Sequence, residues 1–261
     1  MHMKQTILTA KQSELLENLI EKYGRIVNSG QIFKEAQGSW DYKQAKNLVT
    51  KLVNNGWLIR IKRGLYAISD LSSRGFLSLS PYVVANLLVT DSYVSFEAAL
   101  WHYIMFNQLP RKTVSISLKT HKSVKLNGME YSFIKTKPDY YFGWKDIQVD
   151  RQTARVATPE RALVDLINFH KSRYSIDLVI ETLIDYQADL DLNRLSDYLS
   201  KFPITTIKIF GVIFDLLGID SGKLYDLVKP VGTHWMLPGD RKFNAKWRLY
   251  YREYFDKYQV K

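Results

Sequence analysis

Apolar residues recur at helical spacing in the first quarter of the chain. Leu15, Leu16, Leu19 and Ile20 fall on one face of a segment over residues 9–23, with Leu8 or Thr9 at its start and Gly24 as its stop signal. Ile32, Phe33 and Ala36 mark a short helix over residues 29–36. Ala45, Leu48, Val49 and Leu52 form the inward stripe of a third helix, over residues 39–53. Ser39 is its expected N-cap, because a hydroxyl can accept from backbone N–H groups that lack helical partners. Asn54-Asn55-Gly56 ends it, since Asn and Gly tolerate the left-handed conformation of a helix C-terminus. The pattern then changes. Trp57-Leu58-Ile59-Arg60-Ile61 and Leu65-Tyr66-Ala67-Ile68 are short β-prone runs on either side of Lys62-Arg63-Gly64, a hairpin signal. Three helices followed by a basic hairpin is the order of a winged helix-turn-helix, expected over residues 1–72.

Ser69-Asp70-Leu71-Ser72-Ser73-Arg74-Gly75 is small and polar and reads as a linker. Beyond it, residues 81–89 and 95–105 look helical, and Thr113-Val114-Ser115-Ile116-Ser117-Leu118 alternates as a strand does. Residues 124–126 and 129–134 flank Asn127-Gly128, a tight-turn pair suited to two positive φ angles. Thr158-Pro159-Glu160-Arg161 opens a further helix: Thr caps, Pro suits the first turn and Glu favours the positive end of the dipole. Ala162, Leu163, Leu166 and Ile167 are its apolar stripe. Residues 175–218 are mostly helical, punctuated by Pro203, and residues 241–261 are dense in Tyr, Trp, Lys and Arg. The fold class expected is α+β, with the winged domain followed by a larger mixed domain over residues 76–261.

Composition narrows the function. Hydrophobic residues make up 46% and charged residues 24% of the 261, ordinary values for a globular chain. The formal charge is +11, from 37 Lys and Arg against 26 Asp and Glu, which favours polyanionic partners. The surplus is localised. Residues 1–70 carry a net +5, residues 111–137 a net +6 and residues 229–261 a net +5, while the segments between them are acidic. That distribution suits a phosphate-binding surface better than a merely basic protein. Cysteine is absent, which excludes disulfides, thiolate zinc sites and thiol catalysis. No apolar run has the length of a membrane span, and the first residues do not resemble a signal peptide. The expectation is a cytoplasmic protein without membrane contact.

In a helix-turn-helix the second helix of the motif enters the major groove with its first turns near base edges. Here the outward positions are Tyr42, Lys43, Lys46 and Asn47. Lys can donate to guanine, Asn can pair with adenine and Tyr can reach a phosphate. Each alone also fits a solvated helix face; the set, followed directly by Arg60, Lys62 and Arg63 around Gly64, favours contact with double-stranded DNA. Lys112, Lys119 and Lys122 extend the candidate set into the second basic segment. Arg161 and Asp165 are four apart and read as an intrahelical pair that orients the helix. His2, His102, His121, His170 and His234 show no metal spacing, and no glycine-rich phosphate loop or G-x-S-x-G occurs. No catalytic residue, metal or cofactor is expected. An alternative is a metal-dependent nuclease-like C-terminal domain, for which Asp139, Asp146 and Asp150 are the available carboxylates.

Several segments resemble, in order, those of the AbiEi-type antitoxins. Asn55-Gly56-Trp57-Leu58-Ile59-Arg60-Ile61-Lys62-Arg63-Gly64-Leu65-Tyr66 resembles the G-x-L-x-R-x-x-R-G-x-Y pattern that closes the family's winged helix. Ser95-Phe96-Glu97-Ala98-Ala99-Leu100 with His102-Tyr103 is similar to its S-x-x-S-A-L-x-x-H/Y-G segment, with Ala98 for serine and Ile104 for glycine. Thr158 to Leu166 is similar to its P-E-R-T-L-V-D helix, with Ala162 for threonine, and Trp247-Arg248-Leu249 to its closing W-x-L. The resemblance implies an antitoxin of a bacterial type IV toxin–antitoxin, phage-abortive system. Such a protein represses its own operon at promoter inverted repeats and counters a nucleotidyltransferase toxin through its C-terminal domain. It also implies DNA contact by Lys43, Lys46, Arg60, Lys62 and Arg63, and a supporting role for the Glu160–Asp165 helix in the antagonising domain.

Overall fold

The structure is a computed structural model describing residues 7–69, 75–229 and 231–260. Most of the linker read from sequence, residues 70–74, lies outside the described residues, as do residues 1–6. The fold is mixed α and β. The chain divides into two compact units: Met1–Thr90 with Lys125–Gly128, and Asp91–Val124 with Met129–Lys261.

The first unit runs α1 (Ala10–Tyr23), β1 (Ile26–Asn28), α2 (Ser29–Ala36), α3 (Tyr42–Asn54), β2 (Leu58–Lys62), β3 (Leu65–Ile68) and α4 (Pro81–Leu88). Each of the first three helices opens with a reciprocal cap closed by a glutamine: Thr9 with Gln12, Asn28 with Gln31, and Asp41 with Gln44. Two backbone donors that the helix leaves unpaired are thereby satisfied at each start. The cap of α3 is therefore Asp41 and not the expected Ser39, since a carboxylate two residues on satisfies both ends of the box with Gln44. The stripes from α1, α2 and α3 meet Val27, Trp57, Leu58, Tyr66 and Ile68 in one core. Ile20, expected inward, is 41% exposed at the edge of its stripe. Lys22 binds Glu35 at 2.6 Å and Tyr23 donates to the same carboxylate at 3.1 Å, tying α1 to α2. The bond from Lys22 holds the Glu35 carboxyl below its ordinary range.

β1, β3 and β2 form an antiparallel sheet in that order. Its other face carries Ile59, Ile61 and Ala67, packed against Leu65, Leu77, Leu79, Leu87, Leu88 and Leu126.

The second unit runs β4 (Ser92–Val94), α5 (Phe96–His102), β5 (Lys112–Ser117), β7 (Met129–Lys135), β8 (Trp144–Val149), β9 (Gln152–Ala157), α6 (Pro159–Phe169), α7 (Arg173–Tyr186), α8 (Leu192–Leu199), α9 (Ile204–Leu216), α10 (Gly222–Val228), β10 (His234–Trp235), β11 (Lys242–Asn244) and β12 (Leu249–Tyr251), while β6 (Val124–Leu126) falls almost wholly in the Lys125–Gly128 segment of the first. Within this unit the strands pair in the order β7-β5-β4-β9-β8, with parallel pairs β5–β7 and β4–β9. Asn127 and Gly128 take φ of 47° and 82°, as the tight turn requires. The last three strands form a separate sheet, β10-β12-β11.

The centre of the unit is α6. Thr158 caps it and Pro159 occupies its first turn, as read from sequence. Arg161 and Asp165 pair at 2.8 Å, both fully removed from solvent. Asp165 also accepts from Ser95 Oγ at 2.7 Å and Tyr93 OH at 3.4 Å. Burial raises the Asp165 carboxyl above the ordinary range, and the charge and hydrogen bonds of Arg161, Ser95 and Tyr93 pull it back. Arg161 donates to the Tyr140 carbonyl at 2.7 Å and lies over the rings of Phe142 and Phe202 at 4.6 and 4.8 Å. Gly143, at φ 83°, rests on the arginine stem, where a Cβ would come within 3.1 Å. Glu160 accepts from Asp191 N at 2.9 Å and pairs with Arg194, joining α6 to the start of α8. The expected orienting pair is thus the hub of a buried network.

Removing one member of a buried pair strands the other charge in a low-dielectric site. Asp165→Ala should therefore lower the unfolding free energy by about 3–5 kcal/mol. Urea denaturation followed by circular dichroism measures this, and a loss under ~1 kcal/mol would show the pair to be dispensable.

Candidate nucleic-acid interface

α3 turns its apolar stripe into the first unit's core and leaves Tyr42, Lys43, Lys46 and Asn47 exposed, as the sequence pattern requires. The Asp41 cap places Tyr42 at the first helical position and Lys43 at the second. Lys43, Lys46 and Asn47 stand three and four residues apart, hence on one side of the helix. Tyr42 is 71% exposed and its ring leans on Phe33 at 5.2 Å and 60°. The candidate side chains therefore ride on the first two turns of a helix fixed by four buried apolar residues. Asp41 is a charged neighbour that the sequence pattern does not single out; the signal for it is Gln44, three positions on.

The β2–β3 hairpin is held from both faces. Leu58, Tyr66 and Ile68 enter the helical core, while Ile59, Ile61 and Ala67 pack on the opposite side. Alternation along a strand puts Arg60 on the face of Leu58. The register shifts between Arg60 and Lys62, so the strand is bulged there. Lys62, beyond the bulge, donates to the Leu88 carbonyl at 3.3 Å. Arg63 is exposed at the turn. Gly64 takes φ 75°, and its carbonyl accepts from Ser29 N at 2.9 Å, tying the turn to the start of α2.

Pairing distinguishes these groups from several cations of the second unit. Among the described residues Lys43, Lys46, Arg60, Lys62 and Arg63 have no carboxylate partner. The second unit instead pairs Arg155 with Asp146, Arg194 with Glu160 and Asp191, Lys223 with Asp197, Lys246 with Asp215 and Arg252 with Asp240. Of the second-segment candidates, Lys112 pairs with Glu130 at 3.3 Å across β5 and β7. Lys119 and Lys122 are exposed in the connection after β5. Lys112 thus stands at the start of β5, and Lys119 and Lys122 follow its end.

The carboxylates of the nuclease alternative are also apart. Asp139 lies in the 3-10 turn Pro138–Tyr140, Asp146 pairs with Arg155 at 3.7 Å, and Asp150 sits in the β8–β9 turn at φ 53°. Among the described residues no group of three or more His, Asp or Glu is placed to hold a metal. None of the described helices is long and apolar enough to cross a membrane.

Among solved structures, the RV2827C protein from Mycobacterium tuberculosis has a similar fold, with a TM-score of 0.68 at 14% sequence identity over 93% of this chain and 92% of that one. At that identity the likeness is one of fold alone. No curated protein matches. Residues 14–69, from α1 to the end of β3, match the family described as transcriptional regulator, AbiEi antitoxin, so the resemblance read from the sequence holds over the segment that carries the exposed α3 face and the basic hairpin.

Proposed function

We propose that this protein is a DNA-binding transcriptional repressor and antitoxin rather than an enzyme. The first unit is read as a winged helix-turn-helix: α3 is the recognition helix and the β2–β3 hairpin is the wing. The observation that carries the reading is the set of exposed cations without carboxylate partners on these two elements, inside the segment that matches an antitoxin regulator family. Paired cations are already neutralised; unpaired ones are available to displace the counterions of a phosphate backbone. Tyr42, Lys43, Lys46 and Asn47 are assigned to the major groove, and Arg60, Lys62 and Arg63 to the phosphates beside it. Lys119 and Lys122 are assigned to more distant phosphates, with Lys112 weakened there by Glu130. The target is promoter duplex with inverted repeats, in the cytoplasm, and the protein represses its own operon. The second domain, residues 76–261, antagonises a nucleotidyltransferase toxin. These last assignments follow from the family resemblance.

Changing Arg60, Lys62 and Arg63 together to alanine should weaken binding to every duplex. The salt slope should fall by about one for each phosphate that the hairpin no longer neutralises. A titration from low to high salt reads this; an unchanged slope would take the hairpin out of the interface. For α3, Lys43→Ala or Asn47→Ala should cost operator binding about 1–3 kcal/mol and scrambled duplex much less, if the side chain reads a base. Equal losses on both duplexes would reduce the helix to phosphate contact. Division of labour is tested with fragments. Residues 1–72 hold the proposed DNA-binding elements but lack Leu77, Leu79, Leu87 and Leu88, which cover Ile59, Ile61 and Ala67. A fragment of residues 1–90 should bind duplex in a gel shift and melt at a higher temperature than residues 1–72. Toxin rescue by either fragment alone would contradict the assignment of antagonism to residues 76–261.

A further inference from the structure

In a chain of net charge +11, residues 177–197 carry six carboxylates against Arg194 alone. Three of the six are engaged by the fold. Asp177 pairs with Arg173 and Lys257 at 3.8 and 3.5 Å, Asp191 with Arg194 at 3.1 Å and Asp197 with Lys223 at 2.7 Å. The other three, Glu181, Asp185 and Asp189, are exposed and have no cation partner among the described residues. Glu181 accepts from the Tyr258 hydroxyl at 3.1 Å. Glu181 and Asp185 stand four apart on the outer face of α7, and Asp189 follows four further on, in the 3-10 turn Gln187–Asp189. Glu181 and Asp185 line a depression of about 350 Å³ and Asp189 an adjoining one of about 460 Å³; the two share Met105 and Tyr186. The cations on the second wall are Lys145, exposed on β8, and Arg194, which Glu160 and Asp191 already neutralise.

Apolar side chains stand exposed among these carboxylates. α5 ends in a turn where Met105 N donates to the Leu100 carbonyl at 2.9 Å and Ile104 N to that of Trp101 at 3.1 Å. That pair of bonds puts the residue before Met105 in the left-handed conformation, which glycine adopts without strain. Here the residue is Ile104, at φ 61°, a poor conformation for a β-branched side chain. It is also 79% exposed, so its side chain returns almost nothing to the core. Ile104 lines the same depression as Asp189. Ile184, beside Asp185 on α7, is 50% exposed, and Tyr174, on the wall with Glu181, is 54% exposed. Apolar side chains set among unpaired charges of one sign are the composition of a protein contact surface.

We infer that this face docks a protein partner through a basic amphipathic helix, with lysines or arginines against Glu181, Asp185 and Asp189 and apolar side chains against Ile104 and Ile184. The three carboxylates span about two helical turns, roughly 12 Å. A second helix laid along α7 repeats its own side chains at the same spacing, so its cations and the carboxylates meet in register. Nucleic acid and anionic lipid carry the same sign as this face and are repelled by it. A basic partner gains both the ion pairs and the cover of Ile104, which would account for an isoleucine where glycine fits the backbone better. The inference concerns a protein contact of the second unit and does not depend on DNA binding by the first.

The full-length protein is titrated by fluorescence anisotropy against a labelled peptide of about 16 residues, roughly four turns, with leucines and lysines at helical spacing. Two controls have the same leucines with glutamate for lysine, and the same composition in scrambled order. The wild type should bind the helical lysine peptide, less tightly as salt rises, and bind both controls far more weakly. Asp185→Lys combined with Asp189→Lys should weaken that binding roughly tenfold, since each change removes an attraction and adds a repulsion. It should not weaken duplex binding. If the double variant fails to fold, Asp185→Asn decides, with a loss of about threefold. Ile104→Gly should weaken peptide binding severalfold and raise the melting temperature by about 2–4 °C as the strain is relieved. The inference is overturned if the wild type fails to bind the lysine peptide or binds a control as well, if the charge variants bind it like the wild type, or if Ile104→Gly lowers the melting temperature without touching binding. It is also overturned if size exclusion at low salt shows wild-type self-association that the double variant dissolves, because the face would then serve the basic surface of a second copy.

Discussion

A guanidinium and a carboxylate one helical turn apart, both withdrawn from water, set the terms for the larger unit. Burying either charge alone would cost several kcal/mol, so every element around the pair has to supply something to it. β4 supplies Tyr93, and Ser95 follows at the start of α5. The 3-10 turn supplies the Tyr140 carbonyl, and Phe142 and Phe202 lay their faces on Arg161. Gly143 leaves room for the arginine stem. Next to Ser95, Phe96 takes φ 58°, a costly conformation for a large side chain. It is fully buried and stacked on His170 at 4.4 Å, which holds the strain in place. Two stretches distant in the chain, around Ser95 and around Arg161, thereby become one network.

That logic of paired charge does not extend to the first unit's exposed face. Lys22 and Glu35 are paired there and join two helices, but the cations of α3 and the hairpin are left in water. An exposed ion pair adds little to stability, so omitting partners costs the fold little. It also leaves each positive charge undiminished for a polyanion. The arrangement separates what stabilises the unit, an apolar core with three capped helix starts, from what can recognise a ligand.

How much of this can be read from the sequence depends on how local each cause is. α1, α2 and α3 are legible because their stripes and stop signals lie within the elements themselves. The cap of α3 is easily misplaced because Ser39 and Asp41 are both good caps and only Gln44 distinguishes them. β1 escapes a reading by pattern: it has three residues, and its partner Ala67 lies some forty positions away. β8 and β9 escape it because Asp150 and Arg151 turn the chain at φ 53° and 59° without the glycine or asparagine that usually announces such a turn. The Lys112–Glu130 pair depends on a parallel strand pairing that no periodicity reveals. The same holds near the C-terminus, where Trp247 is core and Trp235 is surface. Residue type does not separate them; the register of very short strands does.

A two-stranded hairpin is marginal in water by itself, yet a phosphate-contacting hairpin gains from being rigid before its ligand arrives. Here β3 pairs with β1 on one side and β2 on the other, and apolar residues seal both faces of the sheet. Ile59 and Ile61 buried against α4 and its approach are each worth on the order of 1.5–3 kcal/mol. The bulge at Ile61 keeps both isoleucines in that layer while directing Lys62 to the end of α4. Arg60, on the opposite face, continues the line of Leu58. The basic side chains are therefore mobile only beyond a fixed backbone. What a ligand must still order is side-chain rotation and not the hairpin itself, which lowers the entropic cost of each contact it makes.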